Sequence, residues 1–474
     1  MKTEHTTLIV AASLVAVQAA SAQTIDCTCS GAFEVGDRVI LLVDDPSFGM
    51  NLPAGTKGTV LCGDARGPFG ISLMVRWDGW TDGNANNTSF CDCPANIGGT
   101  NSDWFVRCTE IQLLPVHNST QGTDHLTIAE GVAASSPGDV LELEDYTFFE
   151  RDLVLDNRDI TIRGKGPDLT FIDGGDLAPR IFDFVNGDES TIEGITIRNG
   201  LADSGNGGAA ARILDSDTSV TFRDCHFLGN DSGGLSFGAV SVELGANVNA
   251  SNCFFESNLT SGSGSTDFGV IGSQLTAVNC VFGESQNAPT SIYFQNADGP
   301  ASGQFTNCTF AGTTTLHHIL AQGAASVDVV GCAFATPSLD SLRPLNGATI
   351  SASRNVYTGA TGDNIDGVPT FIDAANGDFR LAPGSLGIDA ADYDAYIAAG
   401  GGQTDLAGFF RLDDDAGTFN TGIGATDMLD CGAFEFQGNS PAQAQCPGDL
   451  DSDGDTDLGD FTILASDFGC VPTP

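Results

Sequence analysis

Asp224-Cys225-His226-Phe227, Asn252-Cys253-Phe254-Phe255, Asn279-Cys280-Val281-Phe282, Asn307-Cys308-Thr309-Phe310 and Gly331-Cys332-Ala333-Phe334 repeat one pattern: a small or polar residue, Cys, any residue, Phe. The cysteines follow one another at steps of 28, 27, 28 and 24 residues, and a regular period of that size marks a solenoid. Two residues apart on a strand, Cys and Phe face the same side, so each segment offers one small and one large apolar side chain inward. Stacked coil on coil, such pairs build a continuous core, and the expected fold is all-β, a parallel β-helix. Asn355-Val356-Tyr357 continues the series, with Val356 in the place of the next cysteine, 24 residues after Cys332. About ten coils are expected, each adding roughly 4.8 Å along the axis.

Composition fits this reading. The 474 residues include 60 Gly, and 62 acidic residues against 18 basic ones give a formal net charge of −44. Nucleic acid and anionic membrane surfaces are poor partners for such a surface, since both require basic patches. Residues 1–22 read as a signal peptide, with Lys2, an apolar run from Leu8 to Ala20, and Ala20-Ser21-Ala22 before the cut. That run is too short to span a bilayer, so a secreted or cell-surface protein without membrane insertion is expected. In an acidic protein the ladder cysteines lack the electropositive setting of a reactive thiol and are read as buried spacers.

Residues 27–115 hold all three tryptophans and six cysteines, Cys27, Cys29, Cys62, Cys91, Cys93 and Cys108, which in an exported module read as disulfides of undetermined pairing. Short apolar runs such as Asp37-Arg38-Val39-Ile40-Leu41-Leu42-Val43 and Leu73-Met74-Val75-Arg76-Trp77 alternate with Gly, Pro and Asp turns. Their order resembles the small SH3-like β-barrels found as accessory modules. The solenoid is placed at 120–368, opening with a short helix, Thr127 to Ala134, that would cap its first coil. Thr127-Ile128-x-x followed by Pro137-Gly138-Asp139-Val140-Leu141-Glu142-Leu143, Ile160-Thr161-Ile162-Arg163-Gly164 and Ile172-Asp173-Gly174 resembles the opening of the pectate-lyase superfamily of right-handed parallel β-helices. Residues 369–437, including Gly387-Ile388-Asp389, Asp405-Leu406-Ala407-Gly408, Arg411 and Gly432-Ala433-Phe434-Glu435, resemble the terminal segment of secreted β-helix proteins of the choice-of-anchor type, which implies a cap closing the solenoid.

The firmest chemistry lies in residues 446–474. Asp449, Asp451 and Asp453 occupy positions 1, 3 and 5 of an EF-hand loop, Gly454 the turn at 6, Asp455 position 7, Asp457 position 9 and Asp460 position 12. Calcium, a hard cation seeking six to eight oxygens, is the expected cofactor. Loop and following helix resemble a type I dockerin repeat, present once where dockerins carry two, and the resemblance implies a cohesin-like or cell-surface protein partner. Cys446 and Cys470 bracket this unit as a prospective staple.

Catalytic residues are unassigned. Lys165 is the only lysine between residues 120 and 440, and the best basic cluster is Arg198, Arg212 and Arg223 near Asp188, Glu189, Asp215, Asp217 and Asp224. These read as surface ion pairs. His317-His318 reads as a turn or outer-face pair, and Asp413-Asp414-Asp415 as a solvated acidic run. The functional expectation is a secreted or cell-surface protein that binds extracellular polysaccharide or serves as an adhesive scaffold. The alternative, implied by the family resemblance, is a polysaccharide lyase or glycoside hydrolase acting on acidic polysaccharide.

Overall fold

The computed structural model describes residues 33–437, apart from short stretches at 34–35, 45–51, 68–69, 82–102, 108–109, 203–204, 206, 261–263, 286–289, 313–315 and 336–339. Residues 1–22, expected to be a signal peptide, both Cys-x-Cys pairs and the EF-hand-like loop expected to bind calcium lie outside the described residues. Two compact units divide between Leu114 and Pro115.

In the first unit, Arg38–Leu41, Lys57–Gly67, Gly70–Trp77, Asp103–Val106 and Ile111–Leu113 form one five-stranded antiparallel sheet over a core that includes Val39, Leu41, Val60, Val75 and Trp77. Among the described residues Asp103–Val106 and Ile111–Leu113 remain its edges. The expected strands are therefore present as an antiparallel sheet.

The second unit is a parallel β-helix. Successive chain segments enter three sheets of eight, eleven and ten strands, in which strands pair in parallel with their counterparts one coil on, except at the sheet ends, where Val356–Tyr357 pairs with the nearby Ile365–Asp366 and a hairpin joins the eleven-stranded sheet. The eight-stranded sheet makes seven steps from coil to coil, fewer than the ten coils expected. A hairpin, Val116–Asn118 and Thr123–His125, extends the eleven-stranded sheet antiparallel to Val140–Leu143. Helix α1 (Ile128–Ala134) follows it. Thr127 caps α1 by accepting from the Glu130 amide, and the Glu150 carboxylate accepts from the amides of Ile128 and Ala129 at 2.7 and 2.9 Å. Its Ile128 and Val132 pack on the first-coil core with Val116 and Leu141. Among the described residues no helix is long and apolar enough to cross a membrane.

The Cys-x-Phe pattern forms the spine of the ten-stranded sheet, called here the ladder sheet. Cys225, Cys253, Cys280, Cys308 and Cys332 are fully buried, as are Phe227, Phe255, Phe282, Phe310 and Phe334. The phenylalanine rings stack face to face along the axis, at centroid distances of 4.5, 5.1, 4.8 and 4.7 Å. Each thiol donates to the carbonyl two residues before it, as Cys280 does to Val278 at 3.3 Å. Burial pushes the thiols of Cys225, Cys253, Cys280 and Cys308 well above their usual value, so they stay neutral and inert. Cys225, Cys253, Cys280, Cys308, Cys332 and Cys431 are all free thiols.

The residue before each cysteine turns the corner between two sheets in left-handed backbone, with φ 51° at Asp224, 52° at Asn252, 60° at Asn279, 49° at Asn307 and 63° at Gly331. Asn, Asp and Gly are the residues that tolerate this conformation. The side chains bond along the axis, Asn252 donating to Asp224 and Asn279 to Asn252, both at 3.0 Å. In the last step the register differs from expectation. Ala333 pairs with Val356, so Asn355 stands in the place of the next cysteine, and the corner falls to Arg354 at φ 58°. Asn355 belongs there because its amide does what a thiol cannot: its Oδ1 accepts from the Cys332 amide at 2.8 Å while its Nδ2 donates to Val329 and Asn364.

Residues 369–437 carry a two-stranded antiparallel sheet (Phe371–Asp373 with Asp378–Leu381) and helix α2 (Tyr393–Ala398). This segment was expected to close the end of the solenoid. It lies along the outer side of the ladder sheet across several coils. Phe379 stacks on Phe254 at 6.1 Å, Asn307 donates to the Asp430 carbonyl at 2.7 Å, Ala433 donates to the Thr309 hydroxyl at 2.9 Å, and Gly432 donates to the Gly331 carbonyl at 2.8 Å. Val278, Val281 and Ala311, which point outward from the coils, are thereby buried.

Candidate functional site

The six aspartates of the EF-hand-like loop, Asp449 to Asp460, lie outside the described residues, as do Cys446 and Cys470. Among the described residues no three acidic, His or Cys side chains converge in a metal-holding group.

Stacking reassigns the arginines. Arg198 pairs with Asp173 at 2.8 Å, Arg212 with Asp183 at 2.7 Å, and Arg223 with Glu193 at 3.6 Å. Each partner sits one coil earlier, not beside the arginine in sequence, because a coil returns the chain to the same azimuth. The predicted neighbour Asp188 instead accepts from the Arg158 amide at 2.8 Å. Lys165 pairs with Glu144 at 3.5 Å. On the eleven-stranded sheet, Arg163 bridges Glu142 at 3.3 Å and Glu193 at 3.4 Å, so the charges alternate in sign up the face and cancel.

His317-His318 lies in the strand His317–Gln322, not in a turn. The His318 ring is buried between Phe310 and Phe334, at centroid distances of 5.8 and 5.4 Å. Burial lowers its pKa to about 4. A neutral imidazole serves there as a core residue. Asp267 is also fully buried, accepting from Asn258 at 3.1 Å and Ser285 at 3.2 Å; burial raises its carboxyl to about 7. A shallow depression is lined by Phe149, Glu150, Arg151, Asp152 and Pro179, but Glu150 is committed to the amides of α1.

The densest buried charge is in the C-terminal segment. Arg411 lies under Tyr396, 5.1 Å from the ring centroid, and donates to the Gly432 carbonyl at 3.0 Å; the Glu435 carboxylate is 3.8 Å away. Asp430 accepts from the amides of Asp389 and Phe436, both at 2.6 Å. Asp405 accepts from the amides of Ala407, Phe409 and Glu435. All four charged side chains are essentially inaccessible to solvent. Burial raises the carboxyls of Asp405 and Glu435, and for Glu435 the nearby Asp430 adds to the effect. These groups hold the segment together through backbone amides. Nothing here presents a free acid and base to a substrate.

A surface of different character is the outer face of the eleven-stranded sheet. Parallel register places Thr161, Thr191, Thr221, Asn249, Thr276, Gln304, Asp328 and Ser351 in one column. Two residues earlier on the strands, Ser219, Asn247, Gln274, Ser302, Ser326 and Thr349 form a second column. Asn249, Gln274, Gln304, Ser326, Asp328, Thr349 and Ser351 are exposed. The longer column spans seven steps, roughly 34 Å at the strand spacing. It offers hydroxyl and amide groups and, apart from Asp328, no charge.

No family model and no curated protein matches the chain. Eight chains of solved structures match. Two of them are a pectin methylesterase in complex with a hexasaccharide and the pectin methylesterase PemA from Erwinia chrysanthemi. Each is 14% identical, covering 56% of this chain and 96% of its own, with a TM-score of 0.26. A likeness that low says nothing of chemistry, and the β-helix stands on the strand pairing itself.

Proposed function

We propose that this protein is a secreted or cell-surface β-helix protein that binds extracellular polysaccharide without cleaving it, engaging a neutral, hydroxyl-rich chain along the outer face of the eleven-stranded sheet. The observation that carries this reading is the pair of in-register polar columns, repeating at the strand spacing over roughly 34 Å. A polymer repeats its hydroxyls along its length, and a face that repeats donors and acceptors along its own length engages many units weakly at once. The net charge of −44 repels polyanionic chains at long range, which favours a neutral polymer over a uronate one. Non-cleavage is supported by the arginines of the best basic cluster, each held in an ion pair with an acidic residue one coil away.

Export rests on the leader-like residues 1–22. Calcium in the tail rests on the spacing of Asp449, Asp451, Asp453, Asp455, Asp457 and Asp460, and a cohesin-like or cell-surface partner on the dockerin resemblance alone.

Pull-down on insoluble neutral polysaccharides, beside soluble uronate polymers assayed for unsaturated product, tests the reading. Binding to a neutral polymer should fall at least about tenfold in the Asn249→Ala, Gln274→Ala, Gln304→Ala triple variant, a loss of roughly 1.4 kcal/mol spread over three exposed contacts, with no change in melting temperature. Unchanged binding by the triple variant, or steady release of unsaturated uronate by the wild type, would overturn it.

A further inference from the structure

Where the ladder sheet hands the first coil over to the eight-stranded sheet, the corner Phe148-Phe149-Glu150-Arg151-Asp152-Leu153 sends its side chains two ways. Phe148 and Leu153 are buried in the solenoid core, whereas Phe149 is 74% exposed. A phenyl ring carries a large apolar area, and its place in water is a cost unless a ligand covers it.

Main-chain bonds hold this corner. The Asp152 amide donates to the Arg180 carbonyl and the Leu153 amide to the Ile181 carbonyl, both at 2.9 Å. Arg151 donates its Nε to the Ala178 carbonyl at 3.2 Å, and the two Glu150 oxygens accept from the amides of Ile128 and Ala129. The ends of the other two polar side chains are left over. Among the described residues, neither the Arg151 Nη atoms nor the Asp152 carboxylate enters a hydrogen bond or an ion pair.

Phe149, Glu150, Arg151, Asp152 and Pro179 line a depression of about 370 Å³, at the lower end of the roughly 300–1,000 Å³ of small-molecule sites. The Phe149 ring and Pro179 make its apolar part. Its polar part offers a guanidinium that only donates and a carboxylate that only accepts. Their charges are opposite, so a charged ligand meets one friend and one opponent. A neutral sugar ring is the complement of such a set. It presents C–H groups on one face and, at its edge, hydroxyls that both donate and accept.

We propose that this corner is a second carbohydrate subsite, which takes a short stretch of neutral sugar with Phe149 as the stacking plate and Arg151 and Asp152 as partners for its hydroxyls. The ligand class rests on the reading that this protein binds a neutral polysaccharide; the site is separate from the polar columns. The corner joins the ladder sheet to the eight-stranded sheet and stands off the face of the eleven-stranded sheet. Sugar held at Phe149 is therefore a different segment from sugar held along the columns. Two sites on different sides of one solenoid tie two polymer segments together, and their affinities reinforce each other.

Calorimetric titration of the full chain with cellotriose, xylotriose, mannotriose and laminaritriose tests this, because such sugars are too short to gain from the repeating columns. At least one of them should bind, as a single molecule per chain. Phe149→Ala should weaken that binding by about tenfold, as loss of a stacking contact does, and Phe149→Tyr should keep most of it. Asp152→Asn exchanges a charged acceptor for a neutral one and should weaken binding about fivefold. Asn tolerates the left-handed backbone that position 152 adopts at φ 58°, and both positions are exposed, so melting temperatures should not move. The Asn249→Ala, Gln274→Ala, Gln304→Ala triple variant should titrate like the wild type. The subsite is overturned if none of the four sugars binds, or if Phe149→Ala binds with full affinity, and either result leaves polymer pull-down through the columns untouched. Phe149-dependent trisaccharide binding by a chain that pulls down no polymer would instead overturn the columns and uphold the subsite.

Discussion

In the ladder interior Cys280 donates a hydrogen bond to the Val278 carbonyl, as the other four ladder thiols do to the carbonyls two residues before them, and Asn279 donates to Asn252 as Asn252 does to Asp224. In the segment outside it, Arg411, Asp405, Asp430 and Glu435 meet once, and no neighbouring unit repeats them. Both regions bury polar atoms completely. The ladder satisfies its buried thiols with main-chain carbonyls in a regular repeat, so each coil solves the same problem in the same way. The segment satisfies them with charge, an arrangement in which loss of one partner leaves another buried and unpaired. Repetition spreads a defect over equivalent neighbours. A single charged cluster concentrates it.

The sharpest way to break this comparison is to remove one member from each side. Phe282 stacks between Phe255 and Phe310, and Phe282→Ala should cost about 4 kcal/mol of stability to chemical denaturant. Arg411→Ala should cost about 3 kcal/mol but act locally. Limited proteolysis should then cut within 378–436 while the ladder stays protected. If both variants lose the ladder and the segment in a single transition, the two regions are not separable and the contrast is wrong.

The pH dependence sharpens it further, because the two regions carry opposite signs. Glu435 and Asp405 have raised folded-state pKa values, so the folded segment keeps protons that the unfolded chain gives up near pH 4. Their contribution is full below that pH and is lost as pH rises toward their folded values. His318 is the reverse. Neutral in the core with its pKa lowered from 6.5 to about 4, it costs stability progressively as pH falls through that interval. Melting curves across this range should therefore flatten on the alkaline side in Glu435→Gln and on the acid side in His318→Phe. A profile unmoved by either change would show that these groups do not set it.

The smallest effect concerns the thiols. Cys280→Ala, a modest loss of volume at a site tightly packed in every direction, should cost about 1 kcal/mol. In the native state a thiol reagent should leave the five ladder cysteines unlabelled, and denaturant should expose all five together. Labelling of one before the rest would show that the coils open separately.

The ladder was legible in the sequence because its signal is local and repeated. Cys and Phe two residues apart, five times over, need no knowledge of distant partners. Even there, matching apolar Val356 to Cys332 misread the register by one residue, since a buried Asn is rarely what an apolar pattern seeks. The arginine partners were not legible. Arg198 looked paired to residues near it in sequence, yet its partner Asp173 is 25 residues back, a distance set by coil length. His317-His318 read as a turn or outer-face pair, and only the strand register shows the His318 ring among phenylalanines. Asp430 sat in a stretch resembling a closing segment and gave no sign that its carboxylate binds the amide of Asp389, more than forty residues back. The polar columns of the eleven-stranded sheet were invisible for the same reason: Asn249, Thr276 and Gln304 become neighbours only once the coils are stacked.

The outer segment touches the solenoid at Phe254, Asn279, Asn307, Gly331 and Arg354, among other points, and so reaches each of five successive coils. Such a strap acts as a gauge of length. A coil inserted ahead of Phe254 leaves every later contact in register, so the solenoid can lengthen on that side. A coil inserted between Phe254 and Arg354 displaces the contacts beyond it by roughly 4.8 Å, more than any hydrogen bond can follow. Variation in coil number is thus confined to the stretch before Phe254, and the strapped stretch is held at a constant count.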